Sequence, residues 1–343
     1  MQLERLTLTN VRTFRNLDVS LERGLHVVTG PNGCGKTNLL ESIALLATTR
    51  SGRAGADVEI ISQEALYEEP LPVARLYAEV VTNSEPVSVE VAITSRGSGI
   101  KGKQPPTTGR RFRVNGIARR ASDLIGQLRV VYFSADDIQI IAGSPGQRRR
   151  YLDITISQLD SIYVRALQRY QRVLQQRNGL LRRLQERHGR SAEELDFWDG
   201  ELAAAGGVVL VGRALALDAL SRRAAEHHSQ LAPESGSLEV CYQPRLPAPE
   251  IEVILGGATP EEAAVVLQET LLSRRADDIT AGVTRSGPHR DDVSFKIGDQ
   301  EAGIYASRGE QRTVALALRL AEVTLSHERT GDPPLLLLDD ILS

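Results

Sequence analysis

The chain has 343 residues, 41% hydrophobic and 25% charged, the profile of a globular protein with one large domain or two modest ones. That composition excludes collagen-like, mucin-like and globally disordered architectures. Two cysteines, Cys34 and Cys241, exclude a disulfide framework, and the longest uncharged apolar run, about 202–212, falls far short of the ~20 residues of a membrane span.

Residues 3–9 and 17–21 read as alternating strands. Leu25 to Thr29 reads as a short apolar strand, and after a glycine-rich turn Asn38 to Ala47 reads as an apolar helix. Further strands are expected at 73–81 and 87–93, followed by a mobile Gly/Lys/Pro/Thr-rich loop at 97–109. A hairpin is expected around Asn115-Gly116, and a buried strand at Val130 to Phe133. From Gly146 the texture turns helical, over 148–230 and again over 261–277, with a strand near Leu238 to Tyr242. After Gly282 a strand at Val293 to Ile297 and a helix from Gly309 to Ser326 lead to Leu335-Leu-Leu-Leu-Asp-Asp340, read as a buried parallel strand with acids at its tip. The first residues, with Glu4, Arg5 and Asn10, form no basic-then-apolar leader, and the two cysteines suit a reducing cytoplasm.

Three motifs carry chemistry. Gly30-Pro31-Asn32-Gly33-Cys34-Gly35-Lys36-Thr37 fits G-x-x-x-x-G-K-[ST] between an expected strand and an expected helix. Its glycines let backbone N–H groups curl around phosphate oxygens at a helix N-terminus. Lys36 would neutralise the β- and γ-phosphates, and Thr37 would hold Mg²⁺. Lys36 is the only lysine in the first 100 residues of a chain in which 37 of 41 basic residues are arginine, so a compact point charge is favoured there. In Leu335 to Asp340, Asp339 would reach Mg²⁺ and Asp340 would orient or deprotonate the attacking water. In Ser307-Arg308-Gly309-Glu310-Gln311, Ser and Gly at a helix start form either a second phosphate cradle or a plain N-cap.

In this order the three motifs resemble the Walker A, signature and Walker B motifs of the ATP-binding-cassette superfamily. The SMC-like DNA-repair ATPases, and among them the RecF family, are most similar. Supporting stretches are Leu8 to Asn16, Gly35 to Glu41, Gly143 to Asp153, Ser286-Gly-Pro-His-Arg-Asp-Asp292 and Gln311 to Ala321. Lys36 and Ser307 lie 271 residues apart, too far for a transporter cassette and too close for a long coiled coil.

The resemblance implies an α/β, ABC-type P-loop ATPase head, residues 1–147 plus 281–343, with an inserted, mainly helical, arginine-rich lobe at 148–280. It implies ATP and Mg²⁺ as cofactors and a slow, switch-like ATPase. It further implies an ATP-dependent homodimer in which Ser307, Arg308, Gly309 and Gln311 meet the partner's nucleotide. Arg12 is carried over as a further nucleotide-contacting residue. Double-stranded or gapped DNA is the implied partner, with RecR and through it RecO, and loading of RecA as the task. No membrane role is implied, and the location would be cytoplasmic, on the nucleoid when bound. The family continues past Walker B, whereas this sequence stops at Ser343, so a further segment is expected. A cassette-type ATPase serving a non-DNA partner and a metabolic P-loop kinase are the competing readings.

Charge bears on DNA independently. Between Arg148 and Arg190 lie 11 arginines and three acids, in a chain of net charge −3. Arg148, Arg149, Arg150, Arg165, Arg169, Arg172, Arg183 and Arg187 are candidates for phosphate contact, with 165/169/172 and 183/187 at helical spacing. The alternative is a solvated helical face. Only 14 aromatics favour duplex over single strand. His227-His228 lacks zinc-ligand spacing, Trp198 reads as core, and no role follows for His289.

Overall fold

A computed structural model describes residues 1–83, 85–96, 107–186 and 193–340. The chain divides into two compact units, Met1–Ala135 with Ser326–Ser343, and Asp136–Leu325. These packing boundaries differ from the expected functional cut at 147/148 and 280/281. The difference arises because the arginine-rich helices and the stretch carrying the signature helix share one hydrophobic core.

In the first unit, β1 (Gln2–Val11), β2 (Phe14–Ser20), β3 (Val73–Val81), β4 (Pro86–Arg96), β5 (Thr107–Val114) and β6 (Ile117–Arg119) form an antiparallel sheet of order β2-β1-β3-β4-β5-β6. Alternation produces it: Leu6, Leu8, Leu76, Ala78, Val89, Val91 and Ile93 are fully buried on one face. Each of the larger of these side chains contributes about 1.5–3 kcal/mol on burial. Asn115 (φ 51°) and Gly116 (φ 74°) close the expected hairpin, both in the left-handed region that a two-residue type I′ turn requires. Helix α1 (Lys36–Thr48) buries Ile43, Leu45, Leu46 and Ala47 in the same core. Short helices α2 (Gln63–Glu68) and α3 (Ala121–Leu124) and the strand β7 (Val130–Ser134) complete this unit up to Ala135.

The second unit is mainly helical. It contains α4 (Ile138–Ala142), α5 (Pro145–Leu159), α6 (Ser161–Glu186), α7 (Glu194–Leu231), α8 (Ala248–Leu255), α9 (Pro260–Ser273), α10 (Arg275–Ala281) and α11 (Ala302–Tyr305). The strands β8 (Leu238–Gln243), β9 (Asp292–Ile297) and β10 (Gln300–Glu301) make a small antiparallel sheet of order β10-β9-β8. Helix α12 (Arg308–Thr330) belongs to this unit through Leu325, and β11 (Leu335–Asp339) returns to the first unit.

Helix α7 is long and apolar enough to cross a membrane by length and composition alone, with a mean hydropathy of 1.6 over its best stretch. Here 61% of that stretch is buried, packed on α6, α9 and β8. Its small residues permit this. A Cβ at Gly207 would come within 2.3 Å of the Pro260 carbonyl oxygen, and one at Gly212 within 2.6 Å of the Tyr163 ring. Trp198 is half-buried against this core, in edge contact with Phe197.

Two buried guanidinium groups fix the second unit. Arg177, fully buried, donates to Asp199 (2.6 Å), Asp278 (2.8 Å) and Thr284 (2.7 Å). Arg213 donates to Asp153 (2.9 Å), Asp291 (3.2 Å) and the Pro288 carbonyl (2.6 Å). Removing one partner from such a pair costs about 3–5 kcal/mol, because the other charge stays buried.

Two sequence expectations fail. Residues 25–29 form no strand, and Leu25 and Val27 are exposed. In β11 only Leu337 is fully buried, while Leu336 and Leu338 are about half exposed. Both follow from pairing: among the described residues β11 has one neighbour, β7, with which it pairs in parallel, and residues 25–29 join no ladder. The expected loop at 97–109 falls largely on residues outside those described; Thr107, Thr108 and Gly109 already belong to β5.

Candidate nucleotide site

The glycine-rich turn takes the conformations its glycines allow. Gly30, Gly33 and Gly35 have φ of 155°, 83° and 101°. Gly35 is the N-cap of α1, and a Cβ there would sit 2.5 Å from Thr13 Oγ1 and 3.2 Å from the Phe14 ring. Only glycine fits, so the spacing read from sequence has a steric cause. Pro31, Asn32 and Cys34 complete an exposed loop, and the Cys34 thiol is free. Lys36 Nζ donates to the carbonyls of Gly30 (2.8 Å) and Pro31 (3.0 Å), which holds its charge over the loop.

The second half of the site comes from the far end of the chain. Thr37 Oγ1 donates to Asp339 Oδ1 at 3.2 Å, across 302 residues of sequence. The register of β11 on β7 places Leu337 opposite Tyr132. From there the Tyr132 hydroxyl donates to Asp339 Oδ2 at 2.8 Å. Burial and the adjacent carboxylate push the Tyr132 hydroxyl far above its ordinary pKa, so it remains a donor. Tyr132 did not stand out in the sequence beyond its place in an apolar strand; the parallel pairing that brings it to Asp339 is a tertiary fact.

The donor set suits Mg²⁺. Two neighbouring oxygen ligands of an octahedral Mg²⁺ at about 2.1 Å lie roughly 3.0 Å apart. Thr37 Oγ1 and Asp339 Oδ1 are 3.2 Å apart, and both are hard oxygens. Glu41, one turn along α1, faces the same region. Burial lifts its carboxyl above the ordinary range, against the opposing pull of Arg53 and Arg12. Arg12 itself has a left-handed backbone (φ 52°), held by its N–H on the Ile60 carbonyl at 2.8 Å. Asp340 is exposed, also with positive φ (52°), immediately past the strand.

The signature stretch lies in the second unit, and its local geometry is a capping box. Glu310 accepts from the Ser307 N–H (2.8 Å), and the Glu310 N–H donates to Ser307 Oγ (3.3 Å). That pairing holds the Glu310 carboxyl below its ordinary pKa. Ser307, Arg308 and Gly309 are exposed at the start of α12. Gln311 is buried, and its side-chain amide donates to the Ala302 carbonyl at 3.0 Å. Sequence spacing could not reveal that this side chain turns inward.

The arginine candidates separate by environment. Arg148 pairs with Asp292 (2.6 Å) and caps the Gly143 carbonyl (2.7 Å), while Arg149 donates to the Asp291 carbonyl. Both are committed to the fold. Arg177, counted in the basic excess, is buried. Arg150, Arg165, Arg169, Arg172 and Arg183 are exposed, with Arg169 paired to Glu201. Arg187 lies outside the described residues.

His289 now has a role. Its Nδ1 lies 2.7 Å from the Tyr170 hydroxyl and its Nε2 3.0 Å from the Thr284 carbonyl. Nε2 must then donate and Nδ1 accept. Burial lowers its pKa to about 4, so the ring is neutral and stitches the 284–289 loop to α6. No group of three or more metal-ligating His, Cys, Asp or Glu occurs among the described residues, and His228 is buried without a zinc-ligand set.

A P-loop held against an aspartate at the tip of a parallel strand, with the capped signature helix in the second unit, defines an ABC-type ATPase head of the SMC kind. The family model described as the RecF/RecN/SMC N terminal domain matches residues 2–343. The chain is similar to the DNA replication and repair protein RecF of Herpetosiphon aurantiacus, at 44% identity over all of this chain and 86% of the relative. With the RecF of Roseiflexus castenholzii the identity is 42%, over all of this chain and 87% of the relative. Among solved structures, RecF–ATP of the RecFOR pathway superimposes with a TM-score of 0.84 at 27% identity, over 99% of this chain and 85% of that one. The chain belongs to the RecF family of DNA replication and repair proteins.

Proposed function

We propose that this chain is an ATP-driven DNA clamp of recombinational repair, whose hydrolysis is slow and acts as a switch. The observation that carries the reading is the approach of Thr37 Oγ1 and Asp339 Oδ1 to 3.2 Å, the spacing of two neighbouring Mg²⁺ ligands, in the unit that carries the Lys36 loop. Backbone N–H groups of residues 33–37 and the start of α1 would receive the β- and γ-phosphates, with Lys36 exchanging its two carbonyl partners for phosphate oxygens. Thr37 and Asp339 would hold Mg²⁺, which supplies charge neutralisation between the phosphates. Tyr132 keeps the Asp339 carboxylate turned toward Thr37. Asp340 would orient the attacking water and take its proton, and Arg12 would approach the nucleotide from the β1–β2 turn.

A second copy would present Ser307, Arg308 and Gly309 to the γ-phosphate, so ATP would join two heads and hydrolysis would release them. Gln311 would act by fixing the helix start rather than by touching nucleotide. Residues 1–147 with 281–343 would act as the head, and 148–280 as the lobe toward DNA. The exposed arginines Arg150, Arg165, Arg172 and Arg183 support duplex or gapped DNA as the partner, through phosphate contacts without sequence preference. RecR, and through it RecO, would follow, with RecA loading as the output. The free thiols of Cys34 and Cys241 suit a cytoplasmic setting. The test is light-scattering mass with and without ATP and Mg²⁺. Wild type should double in mass with ATP and Lys36→Met should stay monomeric; a variant that still dimerises with ATP would sink the clamp.

A further inference from the structure

A recess of about 280 Å³ in the second unit is lined by Arg245, Arg274, Ala281, Val283, Arg285 and Arg290. All four arginines are exposed, and among the described residues none of their guanidinium groups lies within ion-pair distance of a carboxylate. What sets these four apart is that they surround one concavity. Arg148, Arg169, Arg177, Arg213, Arg222, Arg275 and Arg319 of the same unit are each paired to an Asp or Glu.

The recess is built, not incidental. The Arg245 N–H donates to Asp291 Oδ1 (2.7 Å), and the Arg285 N–H to Asp278 Oδ1 (3.0 Å). Those two aspartates are fully buried and held by Arg213 and Arg177, so the buried ion pairs fix the backbone that carries the exposed charges. Arg290 rests its guanidinium on the Thr284 carbonyl (3.4 Å), and His289 pins the same carbonyl. Gly282 brings the Arg182 stem of α6 alongside, since a Cβ there would lie 3.5 Å from Arg182 Cγ. The basic surface therefore continues onto α6.

Four guanidinium groups with no carboxylate partner among the described residues surround one concavity and repel one another, and an anion relieves that repulsion. Arginine forks match phosphate geometry with paired N–H donors. The volume lies just below the roughly 300–1,000 Å³ of pockets for drug-sized ligands, which suits a phosphodiester unit better than a whole cofactor. The geometry points to this recess as a docking site for the phosphate backbone of duplex DNA. It rests on the duplex-DNA reading above and adds a contact surface that the sequence did not single out, since none of the four arginines lies in the 148–190 run.

The test is fluorescence anisotropy of a labelled 20-base-pair duplex with the full chain and ATP, at 50 and 200 mM salt. It compares wild type, R274A/R285A/R290A and the control R222A, whose arginine is already paired to Asp218. Each phosphate contact contributes about 0.9 to the slope of log affinity against log salt. Losing three contacts should shrink the ratio of variant to wild-type Kd by about 40-fold between the two salts. R222A should follow wild type. A triple variant with wild-type affinity and slope would overturn the recess while leaving the duplex reading intact, whereas a wild type that binds no duplex would overturn both. Calorimetry with tripolyphosphate separates the sources. Binding lost in the triple variant while DNA binding is unchanged would assign the recess to free polyphosphate and overturn the DNA assignment.

Discussion

Replacing Tyr132 by phenylalanine removes one oxygen and keeps the ring that packs against the core of the first unit. The hydroxyl donates to Asp339 Oδ2 at 2.8 Å, while Oδ1 faces Thr37 at 3.2 Å. Without that donor the carboxylate gains rotational freedom about its terminal torsion, and its second oxygen loses its partner. Outer partners of metal ligands typically contribute 10–100-fold to metal affinity. The expected loss for Tyr132→Phe is therefore about 1.4–2.7 kcal/mol in Mg²⁺ binding to the ATP-loaded protein. The assay is a Mg²⁺ titration of a fluorescent ATP analogue on the protein, repeated in excess chelator. The Mg²⁺ midpoint should rise at least tenfold, while nucleotide binding in chelator stays within a factor of two. An unchanged midpoint would show that Tyr132 does not position Asp339. A loss of binding in chelator as well would place the defect in the fold instead.

The other predictions test the loop and the second unit. Gly35→Ala combines a φ of 101° with a Cβ 2.5 Å from Thr13 Oγ1, and should cost about 1–3 kcal/mol and weaken ATP binding at least tenfold by calorimetry. Gly52→Ala meets open space and should leave both within error. His289 has a folded pKa of about 4 against an ordinary 6.5, so its contribution is fully present above pH 6.5 and is lost as pH falls toward 4. His289→Gln should remove up to about 3 kcal/mol of that decline in urea unfolding, and identical pH profiles would refute the neutral-ring assignment.

The sequence by itself determined the chemistry that depends on local geometry. The G-x-x-x-x-G-K-[ST] spacing dictates a turn that only glycines can make, and alternation over 73–81 and 87–93 dictates sheet. Most element boundaries followed, because periodicity is a local property of the chain. It also located Thr37, Asp339 and the signature stretch, since each sits at an element end. Pairing decided the rest. That Tyr132 steers Asp339 depends on the β7–β11 register, and the exposure of Leu336, Leu338 and residues 25–29 depends on which strands find neighbours. Which arginines are structural and which face solvent also lay beyond the sequence. Arg148, Arg177 and Arg172 look alike in a charge run, yet Arg148 is held by Asp292, Arg177 is buried between Asp199 and Asp278, and Arg172 is exposed on α6 and donates to the Gln168 carbonyl one turn back. A charge is assigned by its partners, and partners more than 100 residues away are brought together only by the tertiary fold.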